Sequence, residues 1–143
     1  MRQSWRHSRG AFPRLPEFDC LRGLFPRQAT SKDTLTMGST FTKLHYHLVF
    51  STRNRDALIR KNWELRLHAY LGGCLRHTGC QPLEIGGYAD HVHILTGMRP
   101  THRVCDVLRE IKTASSKWVH DTIGLHSFSW QEGYGAFTTS VRE

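Results

Sequence analysis

From Lys43 onward, apolar and polar side chains recur with periods that assign structural elements in turn. Leu44, Tyr46, Leu48 and Phe50 alternate with His45, His47 and Ser51, the period-two pattern of a strand with one face in a core. The polar run Ser51 to Asp56 reads as a loop. Asn62 is positioned to cap a helix whose apolar stripe is Trp63, Leu67, Tyr70, Leu71, Cys74 and Leu75, with Gly79 as its stop. Leu83 to Tyr88 and His91 to Met98 read as two further strands, joined tightly by Ala89-Asp90. A second helix is expected from Val104 to His120, ended by Gly124. Val104, Val107, Leu108, Ile111, Trp118 and Val119 form its buried side. At about 100° per residue, Arg109, Lys112, Ser116 and His120 fall together on a neighbouring polar face. Phe128 to Thr138, aromatic and interrupted by glycine, supplies a fourth strand.

The order β-α-β-β-α-β specifies an α+β fold of the ferredoxin-like type. A four-stranded antiparallel sheet carries both helices on one face and leaves the other open. Side chains alternate across a strand. If Val92 and Ile94 face the helices, His91 and His93 lie on the open face. The same phase puts His45 and His47 there, beside Arg53 and Arg55.

Residues 1–36 have a different character: three of the five prolines, seven basic residues against three acidic, and no period. Disorder is the simplest expectation for this leader. Met37-Gly38 reads as the start of the folded domain, 37–143, with the leader an upstream in-frame extension. An Arg-rich targeting peptide is the alternative.

Charge adds a partner class. Twenty Lys+Arg against 12 Asp+Glu give a net charge of +8, which favours a polyanion, nucleic acid before membrane. A soluble basic protein without such a partner is the plainer possibility. Cys20, Cys74, Cys80 and Cys105 form no C-x-x-C pair, which argues against a zinc ribbon or a disulfide framework and for reduced thiols in the cytoplasm. No apolar run reaches the roughly 18 residues that span a bilayer.

The strongest chemical lead is Asp90-His91-Val92-His93-Ile94-Leu95. Two imidazoles side by side on a sheet can hold a divalent ion, which polarises phosphate oxygens. Binding needs neutral imidazole and so should weaken below about pH 6. Taken alone, a histidine pair of this spacing can also be solvated surface. Zinc nucleobase deaminases need H-x-E with P-C-x-x-C, and neither is present. Histidine-triad hydrolases need a third alternating histidine where Leu95 stands. Two-histidine phosphoesterases need H-x-T/S twice. The RNA-recognition module shares the element order, but its aromatic RNP1 signature is missing.

Four stretches, in order across about residues 40–140, resemble the single-tyrosine HUH transposases of simple insertion sequences and the REP-associated tyrosine transposases. They are Tyr46 to Arg53, Asp90 to Leu95, Leu108 to Lys112 with Ser115-Ser116-Lys117, and Phe128 to Phe137. The resemblance implies a bacterial enzyme that cuts single-stranded DNA beside folded hairpins. Two histidines, here His91 and His93, and a glutamine would hold Mg2+ or Mn2+, and a tyrosine would form a 5′-phosphotyrosine link. It also implies a homodimer. Arg53, Arg55, Arg109, Lys112, Ser116 and Lys117 are candidate DNA contacts, each set against the alternative of a solvated surface residue. Trp130 can stack on an unpaired base or fill the core, and the core is the expectation.

One part of the family pattern is missing. The nucleophile sits in a motif like V-x-x-Y-I-x-x-Q after the last strand, whereas here the chain reads Phe137 to Glu143 without tyrosine or glutamine. Tyr46, Tyr70, Tyr88 and Tyr134 are poor substitutes by position. The expectation is a C-terminally truncated transposase, with no catalytic tyrosine before Glu143 and no cleavage by this polypeptide alone. Two other readings stay open: a non-catalytic DNA-binding relic that regulates a full-length relative, and a metal phosphohydrolase of nucleotides using His91, His93 and His45 or His47.

Overall fold

In the computed structural model, residues 41–140 are described; the expected 1–36 leader lies outside them. Strand β1 spans Leu44–Ser51, helix α1 Lys61–His77, strand β2 Gln81–Tyr88, strand β3 His91–Met98, helix α2 Val104–Trp118 and strand β4 Gly135–Thr139. The sheet order is β2-β3-β1-β4, and every neighbouring pair is antiparallel. β3 therefore sits between β1 and β2, and β1 between β3 and β4. This split β-α-β arrangement bears out the α+β expectation.

The strand phases follow from burial. Leu48 and Phe50 of β1 and Val92, Ile94, Thr96 and Met98 of β3 are buried towards the helices. They meet the α1 stripe of Trp63, Leu67, Tyr70, Leu71, Cys74 and Leu75, and Val107, Leu108, Ile111 and Trp118 of α2, in one core. Such burial of apolar area is the main stabilising term of the fold. β1 enters the core only gradually: Leu44 is exposed and Tyr46 packs at the margin, because the core begins at Leu48.

Several boundaries differ from expectation, among them that of β2, which begins at Gln81 rather than Leu83. α1 begins at Lys61, with Arg60 in the cap position and no side-chain cap bond, so Asn62 lies inside the first turn rather than capping it. α2 ends at Trp118, and a wider-wound turn over Val119–Ile123 continues to Gly124, whose left-handed φ of 79° closes it as the sequence suggested. The fourth strand begins at Gly135 rather than Phe128. Before it, the chain dives inward: Phe128 is 1% and Trp130 8% exposed, each edge-on to its neighbour at 4.9 Å. The Trp130 indole N–H donates to Ser115 Oγ at 2.9 Å. Trp130 thus fills the core, as expected, and that anchoring takes 128–134 out of the ladder except for a bridge from Trp130 to Thr52.

Candidate functional site

On the open face, β1 and β3 place their histidines in register. Val49 pairs with His93 and Ser51 with His91, while His47 stands opposite Leu95. His91 and His93 have ring centroids 4.9 Å apart. His93 stacks on His47 at 5.1 Å, and His47 Nε2 and His93 Nδ1 share a hydrogen bond of 2.9 Å. The His91 Nδ1–H donates to Asp90 Oδ1 at 2.6 Å. Each of the two rings in β3 therefore has its Nδ1 engaged. A carboxylate or a second acceptor behind a histidine is the usual way its tautomer and orientation are fixed for metal binding.

The Asp90 support is itself supported. Arg55 Nε donates to Asp90 Oδ2 at 3.3 Å. The Asp90 carbonyl accepts the Thr52 N–H at 2.8 Å, with Thr52 Oγ1 3.1 Å away. To reach there the chain turns sharply after β1, with Asn54 at φ 56° and Arg55 at φ 59°, both left-handed. On the other side the β2–β3 turn is so tight that a Cβ at Gly87 would lie 2.2 Å from the His91 carbonyl oxygen. Glycine is required there by that close approach.

Electrostatics favour a neutral His93 beside a fixed anion at Asp90. Burial lowers the His93 pKa, helped by the neighbouring His91 and His47. Asp90 is held below the usual carboxylate range, first by the His91 hydrogen bond and then by the bond and charge of Arg55.

The donor set fits two ligands of a divalent site. No group of three His, Cys, Asp or Glu able to hold a metal occurs among the described residues. His47 supports His93 through ring nitrogens, and His45 lies across from Gly97.

The other expected residues divide between two places. Arg53 and Arg55 sit on the turn beside Asp90. Arg109, Lys112, Ser116 and Lys117 come together on α2, lining an open groove of about 660 Å3 whose far wall is residues 129–134. Their engagements differ. Arg109 pairs with Asp106 at 2.8 Å and Lys117 with Asp121 at 2.7 Å. The Lys112 ammonium donates to the carbonyls of Gln131, Glu132 and Gly133 at 2.6, 3.2 and 3.1 Å, so its three donors shape the groove wall. Burial lowers its pKa. Asp90 and His47 are the site residues whose supporting roles sequence reasoning missed; the adjacency of Asp90 to the pair and the phase of His47 were the available signals.

Of the four tyrosines, Tyr70 stacks on Trp118 in the core at 5.1 Å, Tyr46 packs against the core and Tyr134 borders the α2 groove. Tyr88 alone shares the histidines' face, its ring 5.2 Å from His91.

Comparison with known proteins gives a match over residues 40–143 to the family model described as IS200-like transposase. Curated proteins give no match. A candidate transposase from Deinococcus radiodurans R1 superposes with a TM-score of 0.64 at 23% identity, over 74% of this chain and 87% of that one. A REP-associated tyrosine transposase bound to a REP hairpin superposes with a TM-score of 0.53 at 14% identity, over 76% of this chain and 64% of that one. At these identities the two structures speak for the fold.

Proposed function

The chain belongs to the IS200-like transposase family, and from that premise we propose that it binds hairpin-bearing single-stranded DNA and presents a phosphodiester to a divalent ion held by His91 and His93. The observation that carries this reading is the pair of β3 imidazoles with both Nδ1 atoms engaged, by Asp90 and by His47. Supporting it, a solved protein of the same fold is bound to a REP hairpin, and the chain carries a charge of +8.

When bound, Mg2+ or Mn2+ supplies charge that polarises a phosphate oxygen. The protein's own residues orient the two imidazoles and bring cations to the backbone. Arg53 and Arg55 lie near the pair, while Arg109, Ser116 and Lys117 offer phosphate contacts along the α2 groove, whose wall Lys112 braces. Imidazole nitrogens favour Mn2+ over Mg2+, which prefers oxygen donors.

Strand cleavage and joining by the family's route needs a tyrosine hydroxyl at the phosphate. None of Tyr46, Tyr70, Tyr88 and Tyr134 stands in the family's V-x-x-Y pattern, and we assign none of them as nucleophile. Incubation with hairpin DNA and Mn2+ is expected to leave no protein–DNA adduct on denaturing electrophoresis. Pairing of two copies, as the resemblance implies, belongs to the same proposal.

The test of binding is a fluorescence-anisotropy titration of a hairpin with a single-stranded tail at increasing salt. Phosphate contacts predict log affinity falling linearly with log salt. Binding that is absent, or insensitive to salt, would refute the reading.

A further inference from the structure

The open face also has a cleft of about 230 Å3 against the histidines, lined by His47, Glu84, Gly86, His93, Leu95 and Thr139. It exists because of a β-bulge. Pairing of β2 with β3 passes from Pro82–Thr96 directly to Glu84–Leu95, leaving Leu83 as the extra residue. A one-residue shift moves every later side chain to the other face. Without the bulge, Glu84 would stand opposite Ile94, on the core side. With it, Glu84 faces outward with Leu95, and Ile85 turns inward to pack against the core.

Each part of the cleft has a distinct character. Leu95 gives an apolar surface, and the stacked rings of His47 and His93 give a flat wall. Gly86 keeps it open, since a Cβ there would meet nothing within 4 Å. Glu84 makes no hydrogen bond or ion pair with another described residue. A slot with an aromatic wall and one unengaged acceptor suits a flat heterocycle with donors along one edge.

We propose that this cleft seats one unpaired guanine of the bound strand, its N1–H and N2–H donating together to the Glu84 carboxylate. A carboxylate only accepts, through two oxygens side by side. Guanine is the base whose Watson–Crick edge carries two adjacent donors. Adenine and cytosine set an acceptor beside their amine, and thymine flanks its single N–H with two carbonyls. The cleft adjoins His93, so the base it holds fixes which phosphate reaches the histidine pair. Glu84 is then a specificity residue, and this assignment rests on the DNA-binding reading above.

The experiment uses the full chain and a hairpin with a thymine tail, compared by anisotropy with tails carrying a single dG, dA or dC at successive positions. One position is expected to show roughly 5- to 100-fold tighter binding with dG than with dT, the scale of a good bidentate base contact. In Glu84→Gln, and in Gly86→Leu, which fills the cleft, that gain should vanish. Hairpin binding with no base preference, or a guanine preference that survives both variants, overturns the cleft assignment and leaves the DNA-binding reading standing. Failure to bind the hairpin at all overturns both.

Discussion

Replacing Asp90 separates the site's chemistry from the fold's stability. Its carboxylate accepts the His91 Nδ1–H at 2.6 Å and the Arg55 Nε–H at 3.3 Å. The turn itself is held by the Asp90 main chain, whose carbonyl accepts the Thr52 N–H at 2.8 Å, and that bond survives any change of side chain. The ion pair lost joins an Arg55 side chain 69% exposed to an Asp90 side chain 27% exposed; pairs of this kind contribute about 0–1 kcal/mol. The supporting bond behind a metal-binding histidine is worth more to the metal, about 10- to 100-fold in affinity, or about 1.4–2.7 kcal/mol. Asp90→Ala should therefore weaken Mn2+ binding by that factor while the thermal midpoint moves little. Asp90→Asn, which keeps an acceptor but loses the charge, should fall at the lower end. Calorimetric titration of Mn2+ into the native chain and both variants, with thermal unfolding in parallel, measures the two effects. Mn2+ affinity unchanged in Asp90→Ala would refute the idea that Asp90 orients a ligand.

Three further outcomes follow from other contacts. Gly87→Ala places a Cβ 2.2 Å from the His91 carbonyl oxygen and should cost about 1–3 kcal/mol in urea unfolding through overpacking, whereas Gly86→Ala, facing open space, should cost far less. Lys112→Met removes a donor to three carbonyls; a loss of about 1–3 kcal/mol and faster amide exchange across 131–134 are expected, and unchanged exchange would contradict its bracing role. Burial lowers the His68 pKa from 6.5, against a smaller opposing effect of Glu64. The unfolded chain then binds the extra proton first, so this contribution to stability is complete above about pH 6.5 and is lost as pH falls below it. Chemical denaturation from pH 7.5 to 5 should show that decline, and His68→Gln should flatten it.

The sequence was most legible where a period ran against one core. The α1 stripe and the buried side of α2 could be read directly because each helix meets the sheet along one continuous face. β3 alternates in the structure as its side chains do in the sequence. Legibility failed where long-range contacts overrode local pattern. Phe128 to Gly133 has strand-forming aromatics, yet the Trp130 indole bond to Ser115 and its packing against Phe50 pull it inward. The start of α1 was misplaced because its cap position carries no side-chain bond for a capping residue to announce. In the site, strand phase brought His47 to the open face but could not show its hydrogen bond to His93. The bulge at Leu83 left no local signature, because a bulge exists only relative to a partner strand. Lys112 looked like any other cation on the polar face of α2 until the carbonyls of 131–133 closed on it.

A crystal soaked in Mn2+ shows directly where a metal sits. Anomalous difference density collected near the manganese edge is expected to show one peak contacting Nε2 of both His91 and His93, and no such peak in a His91→Ala, His93→Ala double variant. Density elsewhere on the protein, or none at the pair in crystals of the native chain, would show that His91 and His93 are not the metal site.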